Sequence, residues 1–216
     1  MKNLLKIKKL LKIHNIDAYI VPKNDEFFGE YAFPDRLKTI SNFSGSAGFS
    51  IITKFKNYLF IDGRYLIQSK MESGRNFKII EIPYTYPKDI LNYNICKRVG
   101  YDPKLFTSST LKKLFEYKYQ LVPIRENLVD TIYLEKKNKV SYFYTISNKV
   151  VGETVSSKVN RLKKIINKNK SDSIFISAPE NVAWLLNIRG RDNPNSPIPN
   201  ARILIDVKKN IYFFSE

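Results

Sequence analysis

The chain has 216 residues, 43% of them hydrophobic and 13% aromatic, which is enough to bury a core and excludes a chain that stays disordered. Its 37 Lys and Arg against 20 Asp and Glu give a formal charge of +17, but the lysines are dispersed and no zinc-finger spacing or RNP-like aromatic motif accompanies them. No apolar run approaches a membrane span, lysines break up the apolar residues at the start, and a single cysteine, Cys96, excludes an internal disulfide; a cytoplasmic protein without a membrane segment is expected.

Leu4, Ile7, Leu10, Leu11 and His14 fall on one side of an amphipathic helix laid on a sheet. Asp17-Ala18-Tyr19-Ile20-Val21-Pro22 is a strand stopped by its proline. The loop over 23–34 carries Asn24-Asp25-Glu26 and Glu30-Tyr31; adjacent carboxylates suit a metal or an acid–base pair, yet a solvated loop is the simpler expectation. The stretch over 41–49, in which small residues cluster, runs into Ser50-Ile51-Ile52-Thr53, so the backbone turns tightly and then extends. Tyr58-Leu59-Phe60-Ile61 completes a β-hairpin that ends in Asp62-Gly63-Arg64-Tyr65 at the sheet edge. The turn lacks the Gly-Lys-Ser/Thr of a P-loop and leads into a strand rather than a helix, so it reads as structural and not as a phosphate cradle. Arg64 and Tyr65 place a cation and a ring where they can face a neighbouring domain; the simpler reading is a local ion pair of Asp62 with Arg64.

Helices over 66–73, 86–93 and 108–117 then alternate with strands over 77–82, 98–103 and 119–124, and Asn127-Leu128-Val129-Asp130 opens a short helix. The alternation indicates an α/β domain with a mixed sheet over 1–135. Residues 136–150, polar and lysine-rich around Tyr142-Phe143-Tyr144, read as a linker. The segment 151–216 repeats the beginning. Its Lys-rich helix over 159–166 echoes the first helix, 172–177 echoes the first strand, and Ala201-Arg202-Ile203-Leu204-Ile205 with Ile211-Tyr212-Phe213-Phe214 echoes the hairpin. Asn57 and Asn210 hold the same hairpin position 153 residues apart (210 − 57). The second copy stops at its hairpin and is therefore incomplete, with strand edges and apolar surface uncovered, so the chain is expected to self-associate or to take a partner chain there.

Asn42 to Ile52 with Phe60-Ile61-Asp62-Gly63-Arg64-Tyr65, then Val99-Gly100-Tyr101-Asp102-Pro103 and Asn127-Leu128-Val129-Asp130, resemble the first domain of the Xaa-Pro aminopeptidase (aminopeptidase P) family in its three-domain form. The run 180–192, ending Asn187-Ile188-Arg189-Gly190-Arg191-Asp192 with Pro197 after it, resembles the hallmark of the second domain. The resemblance covers nearly the whole chain. It implies two creatinase N-terminal-like domains of ribonuclease-H-like α/β architecture, followed in the family by a pita-bread catalytic domain with two divalent metals, usually manganese.

The family's catalytic aspartates, histidines and glutamates have no matching position here, and the only histidine is His14 on the first helix. The resemblance therefore implies no catalytic and no metal residue, no cofactor in this chain, and no turnover by the chain alone; whether it counts as an enzyme stays open. It implies a non-catalytic amino-terminal part that supports site access and assembly, binding peptide only in the whole enzyme. Asp62, Arg64, Tyr65, Arg189 and Asp192 are the candidate substrate-access or interdomain residues, the last two by orienting the loop through Pro194 and Pro199. Trp184, in an apolar run, is expected in the core, and Cys96 as a small semi-buried residue. The rival readings are a stand-alone module for a protein or RNA partner, with RNA held only by weak electrostatics, and the inactive product of a split gene.

Overall fold

The computed structural model describes residues 2–29, 32–133, 142–193 and 195–215. The chain divides into two units, Met1–Glu26 with Pro34–Lys136, and Phe27–Phe33 with Lys137–Glu216. Among the described residues, no helix is long and apolar enough to cross a membrane. Glu30, Tyr31, Pro194 and the 136–141 part of the expected linker lie outside the described residues.

In the first unit, helix α1 (Lys2–Ile13) buries Leu4, Ile7 and Leu11, which recur at helical spacing. Strand β1 (Ala18–Pro22) is apolar throughout and buried at every position, as a strand covered on both faces must be. Asp35 caps α2 (Arg36–Ser41), its carboxylate accepting from Lys38 N–H. Strands β2 (Phe49–Thr53) and β3 (Asn57–Asp62) form the expected hairpin. A 3-10 turn over Gly63–Tyr65 leads into α3 (Leu66–Ser73) and β4 (Lys78–Ile82). Helix α4 (Pro87–Ile90) is shorter than the expected 86–93, because the backbone extends at Leu91. Strand β5 (Arg98–Tyr101), α5 (Ser108–Phe115) capped by Thr107, β6 (Gln120–Pro123) and α6 (Leu128–Ile132) complete the unit.

The sheet runs β4-β3-β2-β1-β5-β6. Pairs β1–β2 and β2–β3 are antiparallel and the other three are parallel. Side-chain alternation separates two cores. Tyr19, Val21, Ile52, Leu59 and Ile61 pack with α1, α2 and α6, whereas Ile20, Phe49, Ile51 and Phe60 pack with α5 and the Leu91–Cys96 turn. The tetrapeptide Asp62-Gly63-Arg64-Tyr65 thus follows an interior strand rather than lying at the sheet edge, since β4 is outermost.

In the second unit, part of the expected linker carries structure. Strand β7 (Tyr144–Thr145) is followed by α7 (Asn148–Val151), which Ser147 caps at its start and Gly152, at φ 74°, ends. Helix α8 (Val155–Lys168), β8 (Ser173–Ile176), α9 (Pro179–Leu186), β9 (Ile188–Arg189), β10 (Ala201–Asp206) and β11 (Ile211–Ser215) follow. β7 pairs with β9, and a separate sheet runs β11-β10-β8, antiparallel throughout. The repeat read from the sequence is visible as topology: β8, β10 and β11 pair as β1, β2 and β3 do, Ser173 facing Asp206 as Ala18 faces Thr53. One face of this sheet, Ala201, Ile203 and Ile205, closes on Val159 of α8 and Val182 and Leu185 of α9.

Candidate functional site

The glycine-rich turn is held by contacts that leave no room for a side chain. Asn42 ends α2 at a left-handed φ of 64°, its N–H reaching Lys38 O. Ser41 Oγ donates to Leu37 O at 2.7 Å and accepts from Phe43 N–H at 3.1 Å, which sends Phe43 into the core. A Cβ on Gly45 would stand 2.3 Å from the Phe43 ring and 2.8 Å from the Tyr65 ring. Glu72 on α3 accepts from Ser44 N–H at 2.8 Å and Ser44 Oγ at 2.7 Å, and Gln68 Nε2 donates to the same carboxylate at 3.1 Å. Partial burial pushes the Glu72 carboxyl up, but these donors outweigh it and hold it below its ordinary value. An anion's place at the Ser44 amide is taken by a carboxylate, so the turn acts as a clasp between α2 and α3.

Asp62, Arg64 and Tyr65 sit together at the start of the 3-10 turn. The Asp62 carboxylate accepts from Arg64 N–H at 2.9 Å and from Arg64 Nη2 at 2.7 Å, and this guanidinium holds the Asp62 carboxyl below the usual range. Tyr65 turns inward, edge-on to Phe43 with centroids 5.5 Å apart, its hydroxyl 2.8 Å from Ser46 Oγ. The two other motif segments of this unit meet in the interior, where Asn127 Nδ2 donates to buried Asp102 Oδ2 at 2.9 Å and Asn127 Oδ1 accepts from Val129 N–H to cap α6.

The loop after β1 departs from the expectation of a solvated segment. Asp25 is 4% exposed, and Glu26 accepts from Arg36, whose buried guanidinium also donates to Asp130 at 2.8 and 2.9 Å. Arg36 lies among mixed polar and apolar residues before the turn, and nothing in its spacing announces two carboxylate partners 10 and 94 residues away. At the opposite end of β1, Cys96 is buried in the wall of a cavity of about 370 Å³ with Asp17, Lys54 and Tyr58, and burial pushes its thiol up to about 12.

In the second unit the 180–192 run forms α9 and the turn after it. Val182 and Leu185 face the core, whereas Trp184 is 54% exposed, which corrects its expected place in the core. Beneath its ring lies Lys158 of α8, buried, with Nζ 4.2 Å from the ring centroid, donating to Trp184 O and to Asn187 Oδ1, each at 2.6 Å. Burial pulls the Lys158 ammonium below its ordinary value. Asn187 closes α9 at a left-handed φ of 53° and donates to Glu153 O at 3.0 Å. One signal for this cluster was present: Lys158 interrupts the apolar stripe of Val155, Val159, Leu162 and Ile166. Arg189 Nη1 donates to Ile188 O at 2.8 Å and to Ala183 O at 3.3 Å, against the end of α9. Asp192 Oδ2 accepts from Asn200 N–H at 2.8 Å while Gly190 N–H reaches Pro197 O at 2.9 Å, so Asp192 and Gly190 together set the following loop.

The five candidate residues are therefore divided, three in one unit and two in the other, each engaged with its own neighbours. Among the described residues, no three His, Cys, Asp or Glu side chains come together in a way that holds a metal ion.

Comparison with known proteins gives the arrangement a context. Residues 4–133 and residues 135–216 each match a family model described as Creatinase/Prolidase N-terminal domain. A probable Xaa-Pro aminopeptidase P of Laccaria bicolor is 32% identical over 98% of this chain, and one of Penicillium rubens is 35% identical over 91%. The chain spans only 35% and 34% of the length of those relatives. The crystal structure of X-prolyl aminopeptidase from Caenorhabditis elegans, described as a cytosolic enzyme with a di-nuclear active site, superposes with a TM-score of 0.85 at 26% identity, over 100% of this chain and 38% of that one.

Proposed function

From a chain that belongs to the creatinase/prolidase N-terminal domain family, and corresponds to the amino-terminal part of Xaa-Pro aminopeptidase-like proteins, we propose the following role. It is the non-catalytic portion of an aminopeptidase that removes the residue before a proline, and it supports assembly and shapes access to a site carried by the rest of the enzyme. The observation behind this reading is the mismatch in coverage: similarity takes in 91–98% of this chain but about a third of each relative.

The di-nuclear centre of the C. elegans enzyme has no counterpart that the described residues fit, so no step of the reaction is assigned to them. The metals, manganese in this proposal, belong with the remaining two-thirds. The proposed compartment is the cytosol, supported by the single cysteine and by the description of the C. elegans enzyme.

The test is a chimaera. Replacing the matching amino-terminal part of the C. elegans enzyme with this chain should keep cleavage of a peptide with proline in second position, while deleting that part should lower kcat/KM. The chain alone, with manganese added, should not turn the peptide over. A folded deletion variant with unchanged kcat/KM would remove the access role. Chelator-sensitive turnover that follows the isolated chain through purification would overturn the assignment to a non-catalytic part.

A further inference from the structure

The turn between β2 and β3, Thr53-Lys54-Phe55-Lys56, closes on its own backbone. Thr53 N–H donates to Lys56 O at 2.9 Å, and Thr53 Oγ1 accepts from Phe55 N–H at 3.2 Å and from Lys56 N–H at 2.9 Å. The Phe55 ring takes no part in this closure and is 75% exposed. The corresponding hairpin of the second unit turns through Val207, Lys208 and Lys209 without an aromatic residue, so the hairpin does not require one. Ile95, in the segment before β5, is 57% exposed. Two large apolar side chains on separate segments thus stand in water, and both border one cavity.

That cavity is the one of about 370 Å³ that Cys96 helps to wall, within the size range of small-molecule sites. Every lining residue lies between Asp17 and Cys96, in the interior of the first unit's sequence. Its inner part is apolar: Leu91 and Cys96 are buried, and Tyr58 and Ile90 pack with them in the core on that face of the sheet. Its charged residues are Asp17, Lys54 and Lys56. Lys54 Nζ is paired with Asp17 Oδ1 at 2.7 Å, and the other oxygen of Asp17 accepts from Lys97 N–H and Arg98 N–H. Among the described residues Lys56 has no carboxylate partner, so the lining carries one surplus positive charge.

We propose that this cavity is a binding site for a small monocarboxylate with an apolar body. The body fills the space over Leu91 and Cys96, Phe55 and Ile95 cover its outer part, and the carboxylate pairs with Lys56 Nζ. A neutral apolar molecule would leave Lys56 unpaired. A cation would meet two ammonium groups, and a second anionic group would exceed the single unpaired cation and face Asp17.

The probe is 3-phenylpropionate, ionised at neutral pH, titrated into the full chain by isothermal calorimetry. One molecule should bind per chain, with a dissociation constant of about 1 mM or below for a probe of this size. Amide shifts in proton–nitrogen correlation spectra should cluster over 53–58 and 90–96. Lys56→Glu should weaken binding by about tenfold or more, and so should exchanging the carboxylate for the hydroxyl of 3-phenylpropan-1-ol. Phe55→Ser should weaken it by about threefold or more. Lys9→Glu, on α1 across the sheet, makes the same change in net charge and should leave binding unchanged. Far-UV circular dichroism matching the parent confirms that each variant is folded, and the comparison with the alcohol needs no variant at all. A titration that does not saturate by about ten times the expected constant overturns the proposal, as does equal affinity for the alcohol. So does an equal loss in Lys9→Glu, which would mean attraction by net charge alone, or a set of shifts away from both turns. The chimaeric enzyme should show the same loss in Lys56→Glu; binding confined to the isolated chain would mean that the rest of the enzyme closes the cavity, and would overturn the proposal too.

Discussion

The two units share a three-strand core and differ in what covers it. In the first, β1, β2 and β3 sit inside a six-stranded sheet with helices on both faces, and Tyr19, Phe60 and Ile52 are fully buried. In the second, β8, β10 and β11 make up a sheet of three strands among the described residues, and β10 alternates between buried Ala201, Ile203 and Ile205 and half-buried Arg202, Leu204 and Asp206. Full burial of a large apolar side chain contributes roughly 1.5–3 kcal/mol, and the half-exposed rings of Phe175, Tyr212 and Phe214 realise only part of that. The same local pairing therefore yields a unit that stands on two cores and a unit that stands on one. Among the described residues, the cover around the three strands, rather than their pairing, separates the two units.

The largest expected effect measures that difference directly. Phe60 is fully buried and stacks on Phe49 with centroids 4.6 Å apart, so Phe60→Ala should destabilise the first unit by about 3–5 kcal/mol. Phe214→Ala on the outer face of the second unit should cost less than about 1 kcal/mol in dilute solution. Urea unfolding followed by circular dichroism reads the first. Fluorescence of Trp184, the single tryptophan, reads the second. Comparable costs at the two positions would mean that the outer face of β10 and β11 is covered after all.

How far the sequence announced this depends on the kind of signal. The strands, the hairpins and the repeat rest on local apolar runs and turns, and those appear where expected. Trp184 lies outside the core because Val182, Leu185 and Leu186 form the inward stripe of α9 at helical period and residue 184 falls off it, a distinction that the apolar run alone does not carry. Helix α7 had legible ends in Ser147 and Gly152, hidden by the lysine-rich composition around them. The Arg36–Glu26–Asp130 and Ser44–Glu72 contacts join residues far apart in the chain, and no periodicity carries that information. The family motifs are readable as motifs, and the Asp62–Arg64 pair forms as the sequence suggests; that Asp102 meets Asn127 is apparent only as geometry.

A second prediction bears on the unit with one core. Asn187 accepts from buried Lys158 and occupies a left-handed backbone position that alanine tolerates poorly. Asn187→Ala should cost the second unit about 2–3 kcal/mol by leaving a buried donor short of a partner, and Trp184 emission should shift as Lys158 moves under its ring. An unchanged spectrum with unchanged stability would show that the Lys158 contact to Trp184 O suffices.

In the first unit, Asp17 ties β1 to β5. Its carboxylate accepts from Lys97 N–H and Arg98 N–H, each at 3.0 Å, and from Lys54 Nζ at 2.7 Å. Burial raises this carboxyl, but the three donors outweigh it and leave it below its ordinary value of 3.8. A carboxyl depressed by folding contributes stability above its unfolded pKa and loses it as pH falls through the folded one. Asp17→Ala should therefore cost about 1–2 kcal/mol at neutral pH, discounted for its partly exposed partner Lys54, and the gap to the parent should close as pH drops below 3.8. A gap that is flat with pH would assign the cost to packing.

The smallest effect concerns the tetrapeptide with which β3 ends. Arg64 is 72% exposed and its partner Asp62 is 29% exposed. Water screens such a pair, and holding a long side chain in one place costs entropy, so Arg64→Ala should change the stability of the first unit by less than about 0.5 kcal/mol. The backbone bond from Arg64 N–H to Asp62 survives that substitution, so the 3-10 turn should persist. Asp62→Ala removes this cap as well and should cost more, about 1 kcal/mol. The order of the two variants is the informative result. If Arg64→Ala proves the costlier, the guanidinium is doing more than pairing locally, and the chimaeric enzyme is where to look: a rise in KM without a loss of fold would make Arg64 an access residue, whereas a neutral Arg64→Ala in both assays would leave it as the outer half of a helix cap.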